Sequence, residues 1–268
     1  MSFLDHLEVL RWHILKAFIG IFLMAVVAFV FKDIVFNSVI LAPKSPDFPT
    51  NRLLCELGKM TGVLKLCINT LPLEIISIKM AGQFSMHIMV SLVAGLVVAF
   101  PYVFYQFWSF VIPAMHENER KYSRGAVLAS SFLFITGVLF GYFIITPLTV
   151  HFLGSYSVSE EVTNQINLIS YVGTLASVVL ASGVIFELPV LAYFLTKAGL
   201  ITPSFMKKYR RHSLIVILIL SAIITPPDVF SQILVAVPLI ILYEVGILIS
   251  KRIVRKQEKR DKMNEMAG

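Results

Sequence analysis

The sequence predicts an all-α integral membrane protein with six transmembrane helices. Composition is the first reason, since 57% of the residues are hydrophobic, only 15% are charged and the mean hydropathy is +0.82. A soluble globular domain is usually about 45–50% apolar and about 25% charged. The second reason is a series of six apolar segments, and the third is the uneven distribution of lysine and arginine between their connections.

Polar or proline-containing connections separate the six apolar segments, each of which is expected to form a helix. The second and fourth are the longest and contain Pro101 and Pro189, which should bend them, because a proline removes a backbone hydrogen bond from a helix. The third contains Gly137-x-x-x-Gly141, a spacing that lets helices approach closely. The predicted spans are residues 14–31, 84–111, 125–146, 168–195, 212–224 and 230–249.

The fifth segment is unusually short. Its run SLIVILILSAII has twelve residues, which cover about 18 Å as a helix, against a hydrocarbon core about 30 Å thick. The turn TPPDV follows directly, and the sixth helix then begins. We therefore expect the bilayer to thin locally around the fifth helix, or water to surround part of it.

The rest of the chain is assigned by its position relative to these spans. Residues 1–250 are predicted to form a single transmembrane domain with a large polar loop at residues 32–83, and residues 251–268 a basic cytoplasmic tail. The first apolar segment is longer than the ~7–15 apolar residues of a signal peptide, so we expect it to remain as a membrane helix.

Lysine and arginine predict the orientation of the chain. Seventeen of these 23 residues lie in the N-terminus, the 112–124 and 196–211 connections and the tail, and the other six lie in the 32–83 loop. Positive charge accumulates on the cytoplasmic side of membrane proteins, so both termini should be cytoplasmic. The same asymmetry accounts for the net charge of +7 without nucleic-acid binding, and the tail is expected to touch anionic headgroups.

The two cysteines, Cys55 and Cys67, both lie in the 32–83 loop, which the charge distribution places outside the cytoplasm. An exported loop is in an oxidising compartment, so a disulfide is expected, and it would stabilise the loop by about 3 kcal/mol. The alternative is a pair of buried free thiols. A metal site is not expected, because the nearest histidine in sequence, His87, belongs to the next helix.

Two acidic residues lie within predicted spans, Glu187 in the fourth and Glu244 in the sixth. Apart from Lys16, near the start of the first span, all lysines and arginines are assigned to connections or termini, so no cation is expected beside either acid. A carboxyl group at the centre of a membrane helix costs roughly 2.5–3.5 kcal/mol on insertion scales, so it should face a cavity or a hydrogen-bonding partner. For Glu187 we favour a polar site in a groove over a protonated glutamate that serves packing, whereas Glu244 lies nearer the cytoplasmic end and could reach water.

Two acidic clusters fall on the predicted cytoplasmic side, Asp5 and Glu8 in DHLEVLRWH and Glu117 and Glu119 in MHENERK. They are either ordinary charges at helix ends or a site that binds a cationic segment. Carboxylates pair bidentately with guanidinium groups, so such a site would suit arginine. The sequence contains neither G-x-x-x-x-G-K-[ST] for a nucleotide nor H-E-x-x-H for zinc, so we expect no enzyme activity, cofactor or metal.

Several stretches resemble one family, TatC, the multispanning subunit of the twin-arginine (Sec-independent) protein translocase. They cover most of the chain in the family's order: DHLEVLRWH (5–13), FPYVFYQFWSFVIPAMHENER (100–120), FELPV (186–190), LITPSFMKKYRRH (200–212) and TPPDVFSQILVAVPLIILYEVG (225–246). The resemblance implies a cupped six-helix bundle with short fifth and sixth helices in the bacterial cytoplasmic (inner) membrane.

The resemblance also implies a function, that of the core receptor subunit of the translocase. Family members bind signal peptides that carry paired arginines on folded precursor proteins. They act with small single-span partners of the TatA and TatB types, and the proton-motive force drives transport. Self-association and contact with the lipid bilayer are expected too, and nucleic acid is not an expected partner.

The family's signal-peptide site implies roles here for Glu119, Glu8, Arg11 and Phe110. The family pattern has glutamate directly before the Leu-Arg pair, where this chain has Val9. Either Glu8, about 100° away around a helix, substitutes for that glutamate, or Glu119 contributes more of the binding.

Within the membrane, Glu187, Glu244 and Gln232 are expected to be polar contacts for a partner helix or an inserted signal peptide, with Glu187 on the concave face of the bundle. Structural roles are expected for four further residues: Pro43, Pro101, Pro189 and Asp228. The main alternative is a proton-coupled small-molecule secondary transporter that uses Glu187 as its proton carrier. Such a transporter predicts inverted repeats, and the FELPV element has no counterpart in the first half of the chain. An intramembrane enzyme is disfavoured by the missing motifs.

Overall fold

The computed structural model describes residues 3–63, 66–69, 73–111, 123–159, 161, 164–225 and 229–267. The chain is predominantly helical, as predicted, and forms two compact units, residues 1–183 and 184–268. Within the described residues, five helices are long and apolar enough to cross a membrane: Leu7–Val30, Gly82–Val111, Gly125–Ser155, Leu168–Lys197 and Gln232–Lys259. These five coincide with the first four predicted spans and the sixth.

Short elements separate the long helices. In chain order the elements are α1 (Phe3–Val30), a π-helical segment (Ile34–Ile40), a 3₁₀ turn (Ala42–Lys44), α2 (Pro49–Thr61), β1 (Ile75–Ile76), α3 (Gly82–Val111), α4 (Ser123–Phe140), a second π-helical segment (Gly141–Ile145), α5 (Thr146–Ser155), β2 (Ile166–Asn167), α6 (Leu168–Ile185), α7 (Leu188–Lys197), α8 (Pro203–Lys208), α9 (Arg210–Ile224) and α10 (Val229–Ala267).

The predicted 32–83 loop contains regular structure. Its strand β1 pairs in parallel with β2, with Ile75 opposite Ile166 and Ile76 opposite Asn167. The hydroxyl of Tyr171 on α6 donates to the carbonyl of Ile40 over 2.9 Å, which anchors the first π-helical segment. The core of the first unit forms around these contacts from buried side chains of several elements: Ile40, Met86, Val90, Val150, Tyr171, Val172, Leu175 and Val179.

Helix α1 leaves most of its apolar surface outside the protein. Only 6% of its apolar window is buried, and large side chains such as Phe18 and Phe22 are exposed. An apolar surface this extensive is stable in lipid and would be costly in water. The exposure therefore supports a helix that contacts the bilayer.

The third predicted span extends further than the sequence suggested, through Ser155. It passes through a π-helical segment that begins at Gly141, where a Cβ atom would lie 2.8 Å from Ser182 Oγ and 3.1 Å from Val179 Cα. Glycine therefore permits α6 to lie this close, as the Gly137-x-x-x-Gly141 spacing predicted. The Thr146 hydroxyl donates to the Gly141 carbonyl over 2.8 Å and satisfies a group at this irregular turn.

The two prolines behave differently. Pro101 lies inside α3, which continues through it as one helix. The fourth span is interrupted at Phe186 and Glu187, and α7 begins at Leu188 with Pro189 in its first turn. The predicted bend at Pro189 is confirmed as a break, because proline suits the first turn of a helix, where its missing N–H has no intrahelical acceptor.

The second unit turns sharply after α7. Gly199 has a positive φ of 74°, a conformation that glycine adopts readily at a helix end. The Thr202 hydroxyl then accepts a 3.2 Å hydrogen bond from the Phe205 N–H and caps α8, which begins with Pro203. The core of this unit includes Ala192, Met206 and Ile247.

The last two helices differ in length. Helix α9 has 15 residues, about 22 Å at 1.5 Å per residue, so the predicted shortness of the fifth segment is confirmed. The expectation of a short sixth helix is wrong, because helix α10 has 39 residues and continues through the basic segment after Ser250. The lysine, arginine, glutamate and methionine residues of this segment favour helix strongly, which explains why the helix does not stop where the apolar run stops.

Candidate functional site

Helices α1 and α3 form an antiparallel pair joined near both ends by histidines. His13 Nδ1 donates to Gln106 Oε1 over 2.8 Å at one end of the interface. His87 Nε2 donates to the carbonyl of Phe29 over 3.0 Å at the other end, where the two rings also stack with centroids 3.9 Å apart. Gln106 is buried, so these polar contacts fix the register of the pair.

The middle of the pair depends on a glycine. A Cβ atom on Gly95 would lie 2.6 Å from the backbone nitrogen of Ala25 and 2.8 Å from its Cβ. Carbon atoms in contact are normally about 3.5–4.0 Å apart. The absence of a side chain at Gly95 therefore sets how closely α1 approaches α3.

This register determines where the predicted N-terminal binding residues lie. Because the helices are antiparallel, residues before His13 lie beside residues that follow Gln106. Glu8 and Arg11 are therefore at the end of the pair where α3 finishes at Val111, and both side chains are exposed. A carboxylate and a guanidinium group are thus exposed at one end of the α1–α3 pair.

The departure from the family pattern also occurs at this end. Glu8 is exposed, whereas Val9, which occupies the position of the family glutamate, is partly buried. Successive residues of a helix point about 100° apart. The acid of this chain is therefore on the more accessible of the two positions.

Phe110 lies in the last turn of α3, at the same end, and is partly buried. The next residues along the chain are 112–122, which carry Glu117 and Glu119. These two glutamates lie outside the described residues. The structure therefore brings Glu8, Arg11 and Phe110 to the end of the α1–α3 pair at which residues 112–122 begin.

Glu187 lies at the break between α6 and α7. Its N–H donates to the Val184 carbonyl over 3.1 Å, and its own carbonyl accepts from the N–H groups of Val190 and Leu191, each over 2.9 Å. Its side chain is partly buried. The break thus places a carboxyl group at the interruption between two helices, instead of on a regular helical face.

Glu244 has a cationic partner that the sequence did not predict. Arg210 Nε lies 2.6 Å from Glu244 Oε1, and the two side chains are 57% and 36% exposed. Arg210 is the first residue of α9, so a guanidinium group assigned to a connection reaches the adjacent helix. One indication of this pair was present in the sequence, since Arg210 and Glu244 both lie near the same predicted membrane boundary.

Further polar contacts within the second unit were also missed. The Thr196 hydroxyl donates to Ser250 Oγ over 2.8 Å, and both side chains are buried. The Tyr243 hydroxyl donates to the Met206 carbonyl over 2.8 Å. These bonds join α10 to α7 and α8.

Gln232, predicted as an intramembrane contact, donates from Nε2 to the Leu218 carbonyl of α9 over 3.2 Å. Asp228, predicted as structural, lies outside the described residues. Pro43 is buried in the 3₁₀ turn.

Cys55 and Cys67 are joined by a disulfide. It links helix α2 to residues 66–69, the segment that contains Asn69.

Asn69 connects three parts of the first unit. Its Nδ2 donates to the carbonyl of Pro147 over 3.1 Å and to that of Pro43 over 3.4 Å, and it contacts Asn51 Oδ1 at 3.4 Å. Its backbone has a φ of 52°, a left-handed conformation that asparagine tolerates better than most residues. Asn51 in turn donates to the carbonyls of Pro43 and Ser45. Nothing in the composition of the loop indicated this cluster.

Metal chemistry is not indicated in the part of the chain that the structure describes, since no three His, Cys, Asp or Glu residues there are grouped so that they could hold an ion.

Comparisons with known proteins agree on one family. The family model for Sec-independent protein translocase protein (TatC) matches residues 5–238. A Sec-independent protein translocase protein TatC from Blattabacterium sp. subsp. Periplaneta americana is 38% identical over 259 residues, which cover 96% of this chain and 97% of that protein. The TatC protein of Aquifex aeolicus is 30% identical over 263 residues, which cover 98% and 100%.

Solved structures agree with the sequence relatives. A crystal structure of the twin arginine translocase receptor TatC has a TM-score of 0.67 and 30% identity, with 92% of this chain and 98% of that chain covered. A second TatC structure, in DDM, has a TM-score of 0.68 and 31% identity, with 91% and 99% covered. None of these comparisons supports the alternative of a small-molecule transporter.

Proposed function

The chain belongs to the TatC family of Sec-independent protein translocase proteins, and on this premise we propose that it is the subunit that binds twin-arginine signal peptides. The family is one of transport proteins and not of enzymes, and the chain is a multi-pass membrane protein. The proposal concerns the recognition step, in which a folded precursor is first bound through its signal peptide.

The observation that carries the proposal is the end of the α1–α3 pair. Glu8 is exposed there beside Arg11, Phe110 lies on the adjacent helix, and the segment with Glu117 and Glu119 continues from the end of α3. Two carboxylates from separate segments suit two guanidinium groups, because each pair forms charge-assisted, bidentate hydrogen bonds. Phe110 offers apolar surface to the residues that follow paired arginines in a signal peptide.

Glu8 takes the role of the family glutamate in this proposal. The side chain at position 8 is exposed, whereas that at position 9 is partly buried. The rotation of about 100° moves the carboxylate around the α1 axis without moving it away from the end of α3. Arg11 supports the site by limiting repulsion between the acids.

The proposed membrane arrangement has six spans, with the short helix α9 as the fifth, and a cupped shape. Both termini and the basic connections lie in the cytoplasm, and the membrane is the bacterial cytoplasmic (inner) membrane. The distribution of lysine and arginine supports this orientation. The signal-peptide site is then cytoplasmic, where precursors are made.

Partners within the membrane are the second part of the proposal. Glu187, at the break between α6 and α7, and Gln232 and Glu244, on α10, are polar contacts for small single-span subunits of the TatA and TatB types or for an inserted signal peptide. Polar side chains within a membrane bind one another because lipid offers them no hydrogen bonds. Copies of the chain self-associate in the assembled translocase, and the proton-motive force drives transport.

The experiment that tests the proposal is binding of a twin-arginine signal peptide to the purified chain, against a twin-lysine control peptide. We expect wild type to prefer arginine, and Glu119→Gln and Glu8→Gln each to weaken binding about 10–150-fold, because a hydrogen bond to a charged group contributes about 1.5–3 kcal/mol. Glu56→Gln is the matched control, since Glu56 is an exposed glutamate on α2. Equal binding of the two peptides by well-folded wild type would refute the receptor role. Loss with Glu119→Gln alone would remove Glu8 from the site.

A further inference from the structure

A cavity of about 430 Å³ lies between α5 and α6, in the first unit and away from the signal-peptide site. Such a volume is within the range of small-molecule sites, about 300–1,000 Å³. Its described lining combines hydroxyl, amide and aliphatic side chains. It lies at the ends of two candidate membrane spans that are joined by residues 156–167.

Thr149 lines this cavity, and its buried hydroxyl has no hydrogen-bond partner in the described part of the chain. Thr149 is 3% exposed, so its environment is almost entirely protein. A buried hydroxyl without a partner is unfavourable, and such groups are rare in folded proteins. Neighbouring groups have partners: the Thr146 hydroxyl donates to the Gly141 carbonyl, and that of Tyr171 to the Ile40 carbonyl. Among the buried polar residues of the lining, Thr149 is therefore the one whose hydroxyl a ligand would satisfy.

The lining also limits the charge of that ligand. The described residues around the cavity are uncharged: Thr146, Thr149, Val150, Leu153, Asn164, Gln165, Ile166, Asn167, Ser170, Tyr171, Thr174, Leu175 and Val178. A phosphate or ammonium group in this site would lose hydration without gaining a counter-charge. Hydroxyl groups match threonine, serine and amide side chains in both donors and acceptors.

Along α6 the lining changes from polar at the connection to mostly apolar further in, with Thr174 beside the apolar side chains. Asn164, Gln165 and Ser170 are near the connection, whereas Leu175 and Val178 lie further along α6. Ser170 and Val178 are about 12 Å apart along the helix axis. The site therefore suits an amphiphile with a hydroxyl-bearing head at the connection and an apolar part directed along the span.

We propose that this cavity binds the uncharged, glycosyl-type headgroup of a membrane lipid, with Thr149 as the main hydrogen-bonding residue. The lipid would lie between the third and fourth spans on the side of the connection that contains no lysine or arginine. This role is independent of signal-peptide recognition.

The test uses the purified full chain in lauryldimethylamine oxide, a detergent without hydroxyl groups. Native mass spectrometry measures the binding of monoglucosyl-diacylglycerol and, as the charged comparison with equal acyl chains, phosphatidylglycerol. We expect the glucosyl lipid to bind at least about tenfold more tightly. Thr149→Val should weaken its binding about 3–10-fold, the effect of one neutral hydrogen bond. Thr136→Val is the matched control, because Thr136 bonds the Phe132 carbonyl of its own helix.

A second measurement separates a lipid site from a structural role for Thr149. Because the Thr149 hydroxyl has no partner in the described part of the chain, Thr149→Val should raise the Tm of the lipid-free protein by roughly 2–4 °C. The same substitution should reduce the rise in Tm that glucosyl lipid causes. Thr174→Phe, which fills the cavity, should abolish lipid binding. The proposal is wrong if phosphatidylglycerol binds as tightly, if Thr149→Val binds like wild type, or if Thr149→Val lowers the lipid-free Tm.

Discussion

The close approach of α1 to α3 gives a quantitative prediction for Gly95→Ala. The new Cβ would lie 2.8 Å from Ala25 Cβ, so the helices must separate by about 0.7 Å to reach normal contact. The His13–Gln106 and His87–Phe29 hydrogen bonds, now 2.8 and 3.0 Å, would lengthen to roughly 3.5–3.7 Å, beyond useful hydrogen-bond distance.

The free-energy balance of Gly95→Ala has two sides. Overpacking costs typically about 1–3 kcal/mol, and each weakened bond adds about 0.5–1.5 kcal/mol. Replacing glycine by alanine within a helix returns about 1 kcal/mol. We expect a net destabilisation of about 1–5 kcal/mol, which lowers Tm by ~2–20 °C for a protein of this size.

Gly173→Ala is the matched control, because it is the same substitution within a helix, and a Cβ there meets nothing within 4 Å. Its Tm should equal or exceed that of wild type. Thermal unfolding in detergent measures both variants, and signal-peptide binding should weaken only for Gly95→Ala, since that change moves Glu8 relative to Phe110. If the two variants have the same Tm, the contact between α1 and α3 does not limit stability and the reasoning fails.

Two further predictions concern stability elsewhere. Cys55→Ser combined with Cys67→Ser should lower the free energy of unfolding by about 3 kcal/mol, because the disulfide restricts the unfolded chain. Wild type in reducing agent should match the double variant. An unchanged unfolding transition would contradict a stabilising role for the disulfide. Thr196→Val should lower the free energy of unfolding by about 1–3 kcal/mol, because the buried Ser250 hydroxyl loses its partner. Chemical denaturation measures this change, and an unfolding transition equal to that of wild type would show that the bond between α7 and α10 contributes nothing.

Local sequence patterns predicted most of the helices. Apolar runs of the right length predicted five long helices, the twelve-residue run predicted the short α9, and Pro189 predicted the break in the fourth span. Each of these predictions depends on neighbouring residues alone. The helices follow from the length of an apolar run compared with the bilayer thickness, and the break follows from the missing N–H of Pro189. The end of α10 was not predicted, because the apolar run stops at Ser250 while residues that favour helix continue beyond it.

The candidate site was less predictable because its contacts join distant segments. Nothing local in the sequence pairs Arg210 with Glu244, or places Asn69 against Pro147. The positions of Glu8 and Phe110 at one end of a helix pair follow from the His13–Gln106 contact, which joins residues 93 positions apart. The family resemblance supplied these site residues, and the register of α1 against α3 explains why they lie together.

The length of α10 has a consequence for measurement. Its residues after Ser250 extend the helix by about 25 Å along its axis, whereas a flexible chain of the same length would average over all directions. A fluorophore fixed rigidly near Ala267 would turn with the helix, so the polarisation of its emission in oriented bilayers would report the tilt of α10. A label near the C-terminus would thus report small rotations of the last helix from a position outside the membrane.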